Sequence, residues 1–226
     1  MTLATRTLLD HSLSAINFDL RRIAGRVEEQ IEGAVRALQE RNPTLARRVI
    51  ELDQPINDLR YKVEKQCLLV IATQQPTARD LRHIIAAIHI AGELERMADH
   101  GAGIAGITLR MSDQSPLHTV VDIPRMKDIA CNMLHQALAA FVGRDAGLAR
   151  RTAARDDELD ALYVQSLRLL LTYMMQDPAA VVPATYLLWT AHNLERIGDR
   201  VTNICERVVF MAEGVLDDYK PAVTHP

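Results

Sequence analysis

Leu94-Glu95-Arg96-Met97-Ala98-Asp99 and Leu194-Glu195-Arg196-Ile197-Gly198-Asp199 are one phrase written twice, 100 residues apart in a chain of 226. Leu, Glu, Arg and Asp hold the same places in both. Working outward, Ala46-Arg47-Arg48 recurs as Ala149-Arg150-Arg151, and Asp53, Ile56 and Leu59 recur as Asp156, Leu159 and Leu162, now at an offset of 103. The change of offset falls near Pro76 and Pro178, where a turn alters its length at little cost. The chain is two copies of one unit.

Each copy has helical spacing. Leu13, Ile16, Leu20, Ile23, Val27, Ile31, Ala34 and Leu38 trace a first apolar stripe, and Leu45, Val49, Leu52, Ile56, Leu59, Val63 and Val70 a second. A third follows Gln75-Pro76, where Thr77-Ala78-Arg79-Asp80 resembles a capping box. The spacing predicts a fourth helix over about 124–142 and a fifth over about 146–176. The chain breaks at Asp177-Pro178, and Leu194, Ile197, Val201, Ile204, Val208 and Met211 then give near-heptad spacing. Period-two alternation is absent, so the expected fold class is all-α. It consists of six long helices in two tandem, pseudo-symmetric three-helix bundles. The expected division is 1–113 for the first repeat, 114–122 for a linker, 123–216 for the second repeat and 217–226 for a flexible tail. Pro55 inside the second stripe predicts a kink, or a break with Asp53 near a helix start.

Composition supports helices and excludes several functions. Hydrophobic residues make up 48% and aromatic residues 4%, a balance that suits helices better than strands. Residues 1–113 carry 15 basic and 15 acidic side chains, and residues 114–226 carry 11 and 14. Neither half offers the basic patch that tracks nucleic-acid phosphates, so no nucleic acid is expected as partner. Cys67, Cys131 and Cys205 stand far apart and outside any CxxC pattern, which predicts buried free thiols in a reducing compartment. There is no leader-like N-terminus and no apolar run near the ~20 residues of a membrane span. A cytoplasmic location is expected, without a membrane span but compatible with peripheral attachment.

The chemistry lies in the acids. Glu95 and Asp99, like Glu195 and Asp199, stand four residues apart and share one helix face, with about 5–6 Å between β-carbons. Asp156 and Asp160 repeat the spacing on the fifth helix, and Asp53 and Asn57 are their counterparts in the first copy. Neighbouring antiparallel helices would bring two motifs face to face. Four oxygen-bearing side chains then attract a hard cation such as magnesium, manganese or iron, with zinc less natural. Asn203 and Glu206 extend the second face as further candidates. A lone acidic pair is most often a solvated surface; its duplication with the leucine and arginine in place is what argues for a site.

Other patterns fail on context. Gly101-Ala102-Gly103-Ile104-Ala105-Gly106 spells GxGxxG but follows a helix rather than a strand, so close helix approach is the expected role. No GxxxxGK[ST], GxSxG or HExxH occurs, and no Glu is followed three residues later by His. His100 has Arg200 as its counterpart and is expected at the surface. Leu187-Leu188-Trp189 is expected in the core or at an interface.

The duplicated Leu-Glu-Arg-x-x-Asp motifs resemble those of the PhoU family of phosphate-signalling regulators. Ala46–Glu51 with Asp53, Gln75–Arg82, Leu171–Asp177, Glu195–Arg200 and Asn203–Glu206 point the same way. The resemblance implies two three-helix bundles carrying multinuclear metal sites, one at Asp53, Asn57, Glu95 and Asp99, the other at Asp156, Asp160, Glu195 and Asp199. It also implies a negative regulator of phosphate uptake and of the phosphate-starvation response. Its implied partners are the ATPase of a phosphate-specific ABC transporter and a sensor histidine kinase. Neutral Asn57 departs from the acidic pattern and predicts weaker metal binding at the first site; Ala98 departs from Gly198. With no nucleophile–base constellation, the chain is expected to be a regulator and not an enzyme. The alternatives are a carboxylate-bridged metal hydrolase or redox enzyme, and a metal-free helical adaptor. Apolar faces around Leu187–Trp189 predict a homodimer.

Overall fold

The computed structural model describes residues 3–111 and 121–214, and among these every regular element is helical. The first repeat comprises α1 (Leu3–Gln39), α2 (Pro43–Glu51), α3 (Asp53–Gln74) and α4 (Ala78–Arg110). The second comprises α5 (Ile123–Gly143), α6 (Ala146–Ala153), α7 (Asp156–Gln176) and α8 (Val181–Glu213), with one 3-10 turn at Pro178–Ala180. Six helices are long, as the spacing predicts. The two short ones, α2 and α6, lie against α4 and α8. The expected tail, 217–226, lies outside the described residues. So does the expected linker apart from Val121 and Asp122, whose carboxylate caps α5 by accepting from Arg125 N at 3.1 Å.

Two expectations need correction. The single helix predicted over 146–176 is broken at Ala154 and Arg155. This break mirrors the one at Leu52, where Asp53 does begin a helix. Pro55 lies in the first turn of α3, where helices have no use for its missing N–H. The second repeat makes the same turn without proline, so proline is not the cause. Both breaks let a short helix bury its apolar side, Ala46 and Val49 in α2 and Ala149 and Ala153 in α6. The capping box is the second correction. Thr77 is the N-cap of α4, but its hydroxyl makes no cap hydrogen bond, and Asp80 instead pairs with Arg6 of α1 at 2.7 Å. A charge-assisted pair outweighs a neutral cap bond.

The duplication is visible in the backbone. Arg41 and Arg144, 103 apart, both take left-handed φ, 52° and 54°. The next residues, Asn42 and Asp145, cap α2 and α6 by accepting from Leu45 N and Leu148 N at 3.0 and 2.8 Å.

The repeats meet where α4 crosses α8. His100 Nδ1 lies 3.0 Å from Asn193 Oδ1, and Arg200 Nη1 lies 3.4 Å from Glu93 Oε2. Adding 100 to 93 and 100 gives 193 and 200, so these contacts are one contact seen twice about a pseudo-twofold axis. Asn203 Nδ2 donates to Glu93 at 3.1 Å, and a β-carbon on Gly103 would stand 3.2 Å from Asn193 Oδ1, a second such pair. The partner numbers run in opposite directions, so α4 and α8 are antiparallel, centred near the fully buried Met97 and Ile197. One continuous core joins the repeats through both helices. It takes in the whole first stripe and all six apolar residues of the last, each fully buried aliphatic adding about 1.5–3 kcal/mol. The three cysteines are buried and free, and burial pushes each thiol up to about 12.

Candidate functional site

In the second repeat, α7 starts at Asp156 and places Asp156 and Asp160 beside Glu195 and Asp199 in the middle of α8. The four are electrostatic neighbours. Burial, then Asp160, Asp199 and Glu195, push the Asp156 carboxyl up to about 7. Burial, then Asp199, push Glu195 up to about 7 against the opposing Arg196. Asp160 is raised by burial and by Asp199. Asp199 accepts from Arg196 Nη1 at 2.9 Å. Two buried oxygens have no hydrogen-bond partner: Asp156 Oδ1 and Glu195 Oε2, the latter 3.4 Å from His192 Nδ1 and 3.5 Å from Arg196 Nε without bonding to either. Unbonded carboxylate oxygens in a partly buried, self-repelling group are costly to keep charged.

Gly198 makes this packing possible. A β-carbon there would overlap Asp156 Oδ1 and stand 2.6 Å from Leu159 Cδ2. The missing side chain lets the start of α7 settle onto α8. In the first repeat Ala98 is fully buried at the matching place, so the start of α3 does not press so closely.

The first site brings Asp53 and Asn57 of α3 to Glu95 and Asp99 of α4. Burial and then Asp99 raise both Asp53 and Glu95 above the usual carboxylate range. Relief comes from two sources. Asn57 Nδ2 donates to Asp53 Oδ2 at 3.4 Å, and Arg60 approaches Glu95 at 3.8 Å. The counterpart of Arg60 is Tyr163, so the second site lacks that cation. Asp53 Oδ1 is again buried without a hydrogen bond. Among the described residues, no three His, Cys, Asp or Glu side chains stand close enough together to hold one ion as they are posed.

Sequence reasoning passed over the residues between the sites. Glu93 receives Arg96 at 2.6 Å as well as Arg200 and Asn203, and its carboxylate is only 12% exposed. Its counterpart is Asn193, so a search for matching acids discards it. Asn203, a candidate ligand by spacing, is engaged by Glu93. His100, expected at the surface, is half-buried and bridges to Asn193.

A duplicated three-helix unit with an acidic four-residue group on each copy defines a two-repeat helical scaffold protein. The PhoU domain pattern matches residues 20–108 and 123–208, one match per repeat. The chain belongs to the PhoU family. It is 34% identical to a phosphate-specific transport system accessory protein PhoU homolog of Rhizobium meliloti, over 91% of this chain and 87% of the relative. A Zymomonas mobilis protein of the same description is 36% identical over 91% and 86%. The crystal structure of PhoU from Pseudomonas aeruginosa superposes with a TM-score of 0.85 at 34% identity, covering 91% of this chain and 99% of that one. The phosphate transport system regulatory protein PhoU from Streptococcus pneumoniae gives 0.84 at 29% identity, over 93% and 99%. These relatives are named as accessory or regulatory proteins, not as enzymes.

Proposed function

We propose that this chain regulates a phosphate-specific transport system and binds metal ions on its two acidic faces. The transport role rests on family membership across both repeats and on the names its relatives carry. The metal reading rests on one observation: paired carboxylates across α3/α4 and α7/α8, with buried oxygens that no donor satisfies. Asp156, Asp160, Glu195 and Asp199 would hold one group of ions, and Asp53, Asn57, Glu95 and Asp99 a weaker one. Iron, manganese, magnesium and zinc all accept such oxygen donors. Bound ions would supply positive charge where the chain itself has unrelieved negative charge. The protein's own part is to fix which acids face each other, through the helix starts at Asp53 and Asp156.

Regulation follows from differential binding. The chain favours one state of its partner and so lowers phosphate uptake and starvation signalling. The proposed partners are the transporter's ATPase and a sensor histidine kinase, met on the cytoplasmic side. No helix of the described residues is long and apolar enough to cross a membrane. Self-association is part of the proposal, since Trp189 is 47% and Met175 87% exposed on the outer side of the second repeat. Light scattering should give twice the chain mass and return to the monomer in Trp189→Glu.

Manganese uptake after exhaustive dialysis tests the metal reading. The chain should retain or rebind ions, and Asp156→Asn combined with Glu195→Gln should lose those of the second site while circular dichroism is unchanged. Full retention by that variant overturns the ligand assignment, and no uptake by the parent chain leaves a metal-free adaptor. Capture of the ATPase by the immobilised chain, with and without chelator, tests the regulatory part separately.

A further inference from the structure

The two arginines of the duplicated motif point in opposite directions. Arg96 and Arg196 each follow the first acid of their site and stand three residues before the second. In the second repeat the guanidinium folds onto those acids. Arg196 Nη1 donates to Asp199 Oδ2 at 2.9 Å, and its Nε lies 3.5 Å from Glu195 Oε2. In the first repeat it turns toward the N-terminus of its helix, where Arg96 Nη1 donates to Glu93 Oε1 at 2.6 Å. Among the described residues Arg96 makes no ion pair with Glu95 or Asp99.

The residue three places before each arginine sets the direction. Glu93 has one oxygen, Oε2, engaged by Arg200 and Asn203 of α8, and this leaves Oε1 for Arg96. Its counterpart Asn193 is neutral and already committed: Oδ1 faces His100 Nδ1 at 3.0 Å, and Nδ2 donates to the Trp189 carbonyl at 2.8 Å. Pairs at three-residue spacing are available on both sides of a helical arginine. With no acid on the near side, Arg196 takes the carboxylates on the other, and these are the candidate ligands.

We propose that Arg196 is a resident counter-ion that competes with metal at the second site, while Glu93 draws Arg96 away and leaves the first site free of such a competitor. The proposal rests on the metal reading above. Asp199 Oδ2 and Glu195 Oε2 are oxygens an ion would take, so Arg196 has to give them up on loading. Its side chain is 44% exposed, and ion pairs this open to water are weak enough to be exchanged. Loading of the second site and release of a guanidinium at the surface are then one event, so metal occupancy is reported by the position of Arg196.

Manganese titration calorimetry on the full chain tests this in two backgrounds. Asp53→Asn with Glu95→Gln keeps the second site alone, and Asp156→Asn with Glu195→Gln keeps the first. Arg196→Gln should tighten binding at the second site about tenfold, and Arg96→Gln should change the first by less than about twofold. Both arginines lie at the surface, so both variants should keep the helical dichroism of their parents. In the chain carrying isotope-labelled arginine, the Nε resonance that disappears in Arg196→Gln should shift when magnesium is added, and the one that disappears in Arg96→Gln should not. Equal gains at the two sites would mean charge repulsion without displacement and overturn the proposal, as would no gain from Arg196→Gln. Ion binding with an unmoved Arg196 resonance overturns it too and leaves the metal reading intact, whereas no manganese binding in either background removes both.

Discussion

Asp156 and Glu195 keep their protons to about pH 7, well above the ordinary carboxylate range, because burial and neighbouring acids disfavour their charged forms. The unfolded chain would release those protons near pH 4. Between these limits the folded state binds more protons, so the metal-free chain should lose stability as pH rises through that window. Melting curves from about pH 5 to about pH 8 should show a falling midpoint, flattened in Asp156→Asn. A midpoint that climbs over that range would contradict the arrangement. Manganese added at the upper pH should restore stability, since a bound cation replaces the missing protons. The eight candidates were picked out at this scale: helical spacing stacks Glu95 on Asp99, Glu195 on Asp199 and Asp156 on Asp160, and the repeat offset adds Asp53 and Asn57. The arginines that temper them were less legible: Arg60 reaches Glu95 only because α3 and α4 run side by side.

At the scale of elements, the contacts of α8 with α7 and of α4 with its neighbours separate glycines that are needed from those that are not. Gly198→Ala would push a methyl group into Leu159 and Asp156. The overpacking should cost about 1–3 kcal/mol in urea unfolding, more than the helix gains from alanine. Gly106, inside α4, has nothing within 4 Å of its virtual β-carbon, so Gly106→Ala should stabilise by about 0.5–1 kcal/mol. Equal effects at the two positions would refute the close approach of α7 to α8. The six long helices and the all-helical class followed from apolar spacing, while the short α2 and α6 did not. The break at Ala154 did not, because nothing local forbids the helix from continuing; α6 turns there to bury Ala149 and Ala153.

At the scale of the whole molecule, the α4–α8 crossing makes one body of two repeats. The core runs unbroken from Leu9 to Met211. Thermal unfolding should accordingly be a single transition by both far-ultraviolet dichroism and Trp189 fluorescence, and two separated transitions would mean independent bundles. Glu93→Ala would strand Arg200 and Asn203 at the crossing and should cost about 1–3 kcal/mol. Glu93→Gln should recover part of that through the Asn203 bond. A neutral Glu93→Ala would show that apolar packing alone holds the crossing.

The sequence by itself determined the helical class and the duplication, and it singled out seven acids and one amide as candidates, because each is written in spacings of three, four and about one hundred residues along the chain. Only the tertiary structure decided that the repeats share a core, that Glu93 ties them together, and that Gly198 lets Asp156 lie against α8. Those features depend on contacts between residues distant in sequence, where the deciding quantity is the space left between helices once they have packed.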